Sequence, residues 1–282
     1  MVSILKKISS KIYFGIFILL IVILWGFYFK KADGNLQQNN NLLNDSIKKQ
    51  ELMTVNLSSR INKLNEFNYN DYFTVGWIQV QGTNIDFPIF TPIVKSLEEN
   101  GDINPDFSYG WRHINYTLGE NRMVLSAHNL INVSSKPIIN SDNLSDFEAL
   151  MSFVYHEFAK ENQYIMYTDE DGNENLYVIY AVGFTNFHEE EYYSIKYEDK
   201  DKLDEYLTSA KENSIYDYTV SVNNNDDIIS LITCTRFFGI DGDTLFRVDA
   251  RKIRENEDTY KYKVNTNKNY NDVYKKLNEE DI

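Results

Sequence analysis

The chain has 282 residues, 43% of them hydrophobic and 15% aromatic, which is enough for one sizeable core with accessory segments and too apolar for a mainly disordered protein. Its 42 acidic against 28 basic side chains leave a formal net charge of -14. That balance argues against a nucleic-acid partner, which needs a basic face, and suits a domain with an acidic surface.

Residues 1–11 carry Lys6, Lys7 and Lys11, and the run from Ile12 to Phe29 has no charge. The run closes on Trp25, Phe27, Tyr28 and Phe29 and is followed by Lys30 and Lys31. An apolar run with an aromatic and lysine edge predicts a single-pass anchor at 12–29, a cytoplasmic 1–11, and the rest of the chain outside the cell membrane. A cleaved signal peptide is the competing reading, but no small-residue cleavage site follows the run. Residues 30–72 read as a polar Asn- and Gln-rich spacer and then an amphipathic helical segment from Asp45 to Asn68.

The period then changes to that of strands. Val75 to Gly82, Thr83 to Phe90, Arg122 to Ala127, Tyr164 to Tyr167, Leu176 to Phe184, Asp227 to Thr233 and Thr244 to Ile253 are read as strands. The turn Asp169 to Asn173 predicts a hairpin. Helices are read at Phe147 to Phe158, with Ser145 as its cap, and at Glu198 to Asn213. The sum is a mainly β fold: a closed barrel of about eight strands with helical insertions over 73–254, then a polar tail over 255–282 that shows no clear period.

Cys234 is the one cysteine, so an internal disulfide or a cysteine-based structural zinc site is excluded. It is either a small buried hydrophobe or a reactive thiol. Its place at the end of a β-branched strand, beside a polar loop, suits a nucleophile held rigidly at a groove. A thiol nucleophile needs a proton partner, most often histidine. His156 and His188 read as surface residues, His113 is undecided, and His128 ends a strand as Cys234 does. An oxyanion donor is the third need. Arg247, thirteen positions beyond Cys234 on the next strand, can return alongside it. By strand alternation Arg251 faces the same side, and Arg236 is also near the cysteine. For each arginine a surface ion pair is the alternative. Asp241 and Asp243 read as an acidic turn rather than a calcium site, so no metal and no cofactor is expected.

Leu231-Ile-Thr-Cys234 resembles the sortase signature in which a Thr-Cys pair closes a strand and an arginine follows on the next. Ser126-Ala-His-Asn129 is similar to the sortase histidine segment, with Ala127 where the family usually has glycine. The Asn after the His resembles class B, as do Gly76 to Pro88 and the helix before the cysteine strand. Thr91 to Gly119 does not resemble the family pattern. The resemblance implies a cysteine transpeptidase with Cys234 as nucleophile, His128 as general acid and base, Arg247 as oxyanion stabiliser, and Thr233 and Asn129 at the substrate. Its implied partners are secreted proteins with a C-terminal sorting motif and an amine of a peptidoglycan precursor. A pilus-polymerising sortase, a hydrolytic cysteine peptidase and a non-catalytic membrane-tethered binding domain are the alternatives.

Overall fold

The computed structural model describes residues 68–69, 72–92, 110–112, 122–132, 136–139, 141–186, 200–239, 244–258 and 262–279. All lie in one compact unit, Val55–Ile282. In chain order the elements are β1 Asn68–Tyr69, β2 Tyr72–Val80, β3 Asp86–Pro92, β4 Gly110–Arg112, β5 Arg122–Ser126, a 3-10 helix Glu148–Val154, α1 His156–Glu161, β6 Tyr164–Asp169, β7 Glu174–Asn186, α2 Lys200–Glu212, β8 Tyr216–Tyr218, β9 Ile228–Cys234, β10 Thr244–Lys252, β11 Val264–Thr266 and α3 Tyr270–Asn278.

Nine strands form one sheet in the order β1-β2-β3-β4-β5-β9-β10-β7-β6, and β6 pairs with β2 as well. The sheet therefore curls strongly on itself, but unevenly. Between β3 and β5 it is held only by the three-residue β4, with two register pairs to each neighbour. The expected closed barrel is thus corrected to a curled, mainly β sheet with one weakly paired side. Two glycines shape it. At Gly76 a Cβ would collide with the Tyr167 ring, whose hydroxyl donates to Val75 O at 2.7 Å. At Gly82, φ of 76° turns β2 back towards β3 in the left-handed region that glycine enters freely.

The expected hairpin is present. Asp169 Oδ1 accepts from Asp171 N (3.1 Å) and Asn173 N (2.8 Å), which closes the turn between β6 and β7. At the centre, β5 and β9 run parallel, with all of β5 and β9 up to Thr233 buried. Strands covered on both faces need continuous apolar or satisfied side chains, as both sequences provide. Parallel pairing brings the C-terminal ends of β5 and β9 to the same edge.

Helix α2 buries Leu203, Tyr206, Leu207 and Ala210. That i, i+3, i+4, i+7 spacing is one helical face, and each large apolar side chain buried contributes roughly 1.5–3 kcal/mol. The helix read over Phe147 to Phe158 is two pieces, the 3-10 helix and α1. Ser145 gives no side-chain cap. Instead Glu148 Oε2 accepts from Ser145 N at 2.8 Å, the acidic half of a capping box. The tail is also structured: β11 pairs with β8, and Tyr270 of α3 packs on Tyr216 at 5.3 Å between rings. His156, read as a surface residue, is half-buried against this tail, with Nε2 2.9 Å from Val264 O.

The expected single-pass membrane location is corrected: no helix among the described residues is long and apolar enough to cross a membrane. Ile12 to Phe29, on which that expectation rested, lie outside the described residues, as do His113, His188, Asp241, Asp243 and Asp45 to Phe67.

Candidate active site

The parallel register pairs Ser126 with Ile232, so the two chains leave the sheet side by side. Beyond it, Ala127 N donates to Ile232 O (3.4 Å), Thr233 Oγ1 donates to Ala127 O (2.8 Å), and Asn129 Nδ2 donates to Cys234 O (2.9 Å). These three bonds clamp the strand ends on either side of His128. Cys234 is exposed and His128 half-buried at the shared edge. The cysteine is therefore not the buried hydrophobe that the sequence left open.

Thr233 and Asn129, implied as substrate-binding, are both buried. They brace the two strand ends from beneath, and neither faces solvent. Asn129 Oδ1 is buried without a hydrogen-bond partner among the described residues.

Arg247 departs from its implied role. The register sets it opposite Ile232, while Cys234 is opposite Leu245. Its side chain is fully buried and ion-paired to Asp249 at 2.5 Å, a contact of charge rather than an aligned hydrogen bond. Its Nη2 donates to Ala210 O on α2 at 3.2 Å. Arg251 is buried as well, donating to Ser221 O and paired with Glu257. Both guanidiniums thus meet buried partners, and the antiparallel spacing that suggested Arg247 placed it on the strand beside that of Cys234 without indicating what its side chain meets.

The cation that bears on Cys234 is Arg236. Cys234, Arg236 and Phe238 are exposed while Thr235 and Phe237 are buried, and Arg236 lies two residues beyond the end of β9. Burial pushes the Cys234 thiol above its ordinary range, and the positive charge of Arg236 opposes that rise. No ion pair joins the Arg236 side chain to another described residue.

One further group was not legible in the sequence. Phe147 N donates to His128 O at 3.1 Å, which brings Asp146 against the histidine. Asp146 is buried, and its carboxyl is pushed up to about 6 by burial, with the His128 charge pulling it down and Glu148 adding to the rise. Glu148 in turn accepts from Leu130 N (3.0 Å) and Ile131 N (2.6 Å), which fixes the loop after His128. The loops leaving the two strand ends carry Leu130, Ile131, Ile138, Ile139 and Phe238, all large, apolar and exposed. Exposed apolar side chains grouped in this way are a candidate binding surface. Among the described residues no group of three His, Cys, Asp or Glu side chains is placed to hold a metal.

No family model matches the chain. The chain is 23% identical over 163 residues to sortase B of Staphylococcus aureus, a stretch that covers 57% of this chain and 62% of that protein. Two solved structures are similar in fold. Sortase B of Clostridium perfringens shares 24% identity at a TM-score of 0.53, with 70% of this chain and 100% of that chain covered. The substrate complex of Staphylococcus aureus sortase B shares 18% identity at a TM-score of 0.54, with 78% and 98% covered. Sequence and fold point the same way: the chain is similar to the sortase family, most of all to class B.

Proposed function

We propose that the chain is a sortase-type cysteine transpeptidase acting on a peptide of a secreted protein, with Cys234 as nucleophile and His128 as proton carrier. The observation that carries this reading is the clamped pair of strand ends, which holds an exposed thiol beside a histidine at one edge. Cys234 thiolate attacks a backbone carbonyl, and the oxyanion forms within reach of the Arg236 charge. His128 as imidazolium gives its proton to the departing amine, the C–N bond breaks, and a thioester remains on Cys234. An incoming amine attacks the thioester, loses a proton to His128, and leaves as the new amide while the thiolate returns. We assign the oxyanion role to Arg236 because Arg247 is committed to Asp249 beneath α2. The apolar rim of Leu130, Ile131 and Phe238 suits the apolar part of a C-terminal sorting motif, and a peptidoglycan-precursor amine suits the acceptor.

The burial of Arg247 favours a second reading, a non-catalytic binding domain that retains the fold. Quenched fluorescent sorting peptides, with and without an amine acceptor, separate the readings when products are weighed by mass spectrometry. An amine-linked product that vanishes in Cys234→Ala is the expected result. Hydrolysed product alone would indicate a peptidase, and no turnover with a thiol inert to iodoacetamide would leave the binding domain.

A further inference from the structure

Asp146 is costly where it stands. Its backbone takes φ of 51°, a left-handed conformation that side chains other than glycine seldom adopt, although Asp and Asn tolerate it best. It is 5% exposed, and Oδ1 has no hydrogen-bond partner among the described residues. A buried carboxylate oxygen without a partner is destabilising, so a residue serving the fold alone would be Asn or Gly here. The segment cannot swing away to relieve this. Phe147 is fully buried and stacked on Phe87 at 5.9 Å, and its N–H holds His128 O. On the far side, Glu148 grips the loop that follows His128. Residues 145–148 and 128–131 are therefore one braced unit, within which the Asp146 carboxyl feels the charge of His128.

Among the described residues, the charges that bear on Asp146 are His128 and Glu148. Glu148 repels it, and its oxygens are already taken by Leu130 N, Ile131 N and Ser145 N. His128 is the group left to compensate a carboxylate. We propose that Asp146 is a positioning residue for His128: its carboxylate orients the imidazole and favours its protonated form, completing a Cys234, His128 and Asp146 arrangement drawn from β9 and from the segment that follows β5. The catalytic part of this proposal rests on the transpeptidase reading, whereas the pairing of the two side chains does not.

The test is an NMR titration of the His128 ring in the full chain without substrate, assigned with His128→Gln, for wild type, Asp146→Asn and Asp146→Gly. Both variants suit a left-handed backbone, so both are expected to fold. An adjacent opposite charge favours the protonated ring, so the measured His128 titration should move to lower pH in both variants. Peptide transfer by both should fall at least about tenfold in kcat/KM, with the alkaline limb of the profile displaced to lower pH by the same amount. Asp146→Glu should recover part of each effect. A His128 titration that is unchanged in both variants would overturn the proposal, whatever happens to turnover. If wild type itself turns over no peptide, the transpeptidase reading fails, and the titration alone still decides whether Asp146 and His128 are paired.

Discussion

The strands β5, β9 and β10 carry polar side chains at two levels, and the two levels are built to opposite rules. In the middle, beneath α2, Arg122 Nη2 donates to Tyr206 Oη (2.9 Å), Tyr206 Oη donates to Asp249 Oδ1 (2.8 Å), and Ser230 Oγ donates to the same oxygen (2.5 Å). Arg122 also lies over the Tyr206 ring at 3.8 Å, and Arg247 pairs with Asp249. Two guanidiniums share the Asp249 carboxylate there, and removing that partner or its ion pair leaves charge buried and bare. At the C-terminal edge Cys234 is a thiol held out of its ordinary range, and among the described residues Arg236 has no ion-pair partner and Asp146 Oδ1 no hydrogen-bond partner. Groups held at such a cost cluster at functional sites, which is why this edge is the candidate site.

Variants at the two levels test this division. Cys234→Ala has the largest effect on function: transfer should fall by roughly three or more orders of magnitude, with the melting temperature within about 1 °C of wild type because the side chain is exposed. Arg236→Gln and Arg247→Met sharpen the contrast. The first should cost about 100-fold or more in kcat/KM and change stability by less than about 0.5 kcal/mol. The second should lose about 3–5 kcal/mol in urea denaturation by stranding Asp249. Were Arg247→Met stable and inactive, and Arg236→Gln active, the two assignments would have to be exchanged. Tyr206→Phe removes one hydroxyl from the buried network and should cost about 1–3 kcal/mol with kcat/KM unchanged.

Two further effects follow from titration. Burial raises the Cys234 thiol, so alkylation by iodoacetamide should keep accelerating past the pH where a free cysteine levels off. Arg236→Gln, which removes the opposing cation, should displace that profile further to high pH. For Asp146, the raised carboxyl means the folded state holds a proton that the unfolded state releases between about pH 4 and 6. Stability is therefore lost as pH rises through that window. Asp146→Asn should match wild type below pH 4 and melt higher above pH 6, by roughly 6–12 °C, since a rise of about two pH units is about 3 kcal/mol and each kcal/mol is about 2–4 °C for a chain of this size.

The sequence located most of the sheet because the apolar alternation of β2 and the unbroken runs of β5 and β9 are dictated by burial. It also placed Cys234 and His128 at the ends of strands, since a polar residue closing an apolar strand is a local signal. The surroundings of Arg247 were not legible, for a reason that spacing alone hides. Thirteen residues fixes a return strand, but the partner that claims the side chain is Asp249, two positions on, and the backbone of α2 beyond it. The Arg-Val-Asp pattern was a signal of that pair, since alternate residues share a face. Asp146 gave no signal, because its role comes from a left-handed residue and a loop folded against His128. The tail was unreadable because β11 is three residues long and α3 buries only Val273 fully.

That tail has a practical side. Val264 receives His156, Asn267 Nδ2 donates to Ser214 O (2.9 Å), and Asn269 Nδ2 donates to Glu212 O (2.7 Å). Trimming the gene after Arg254, as a family-based domain boundary would suggest, would strip the cover from Tyr216 and Tyr218 and leave a sticky, poorly expressed fragment.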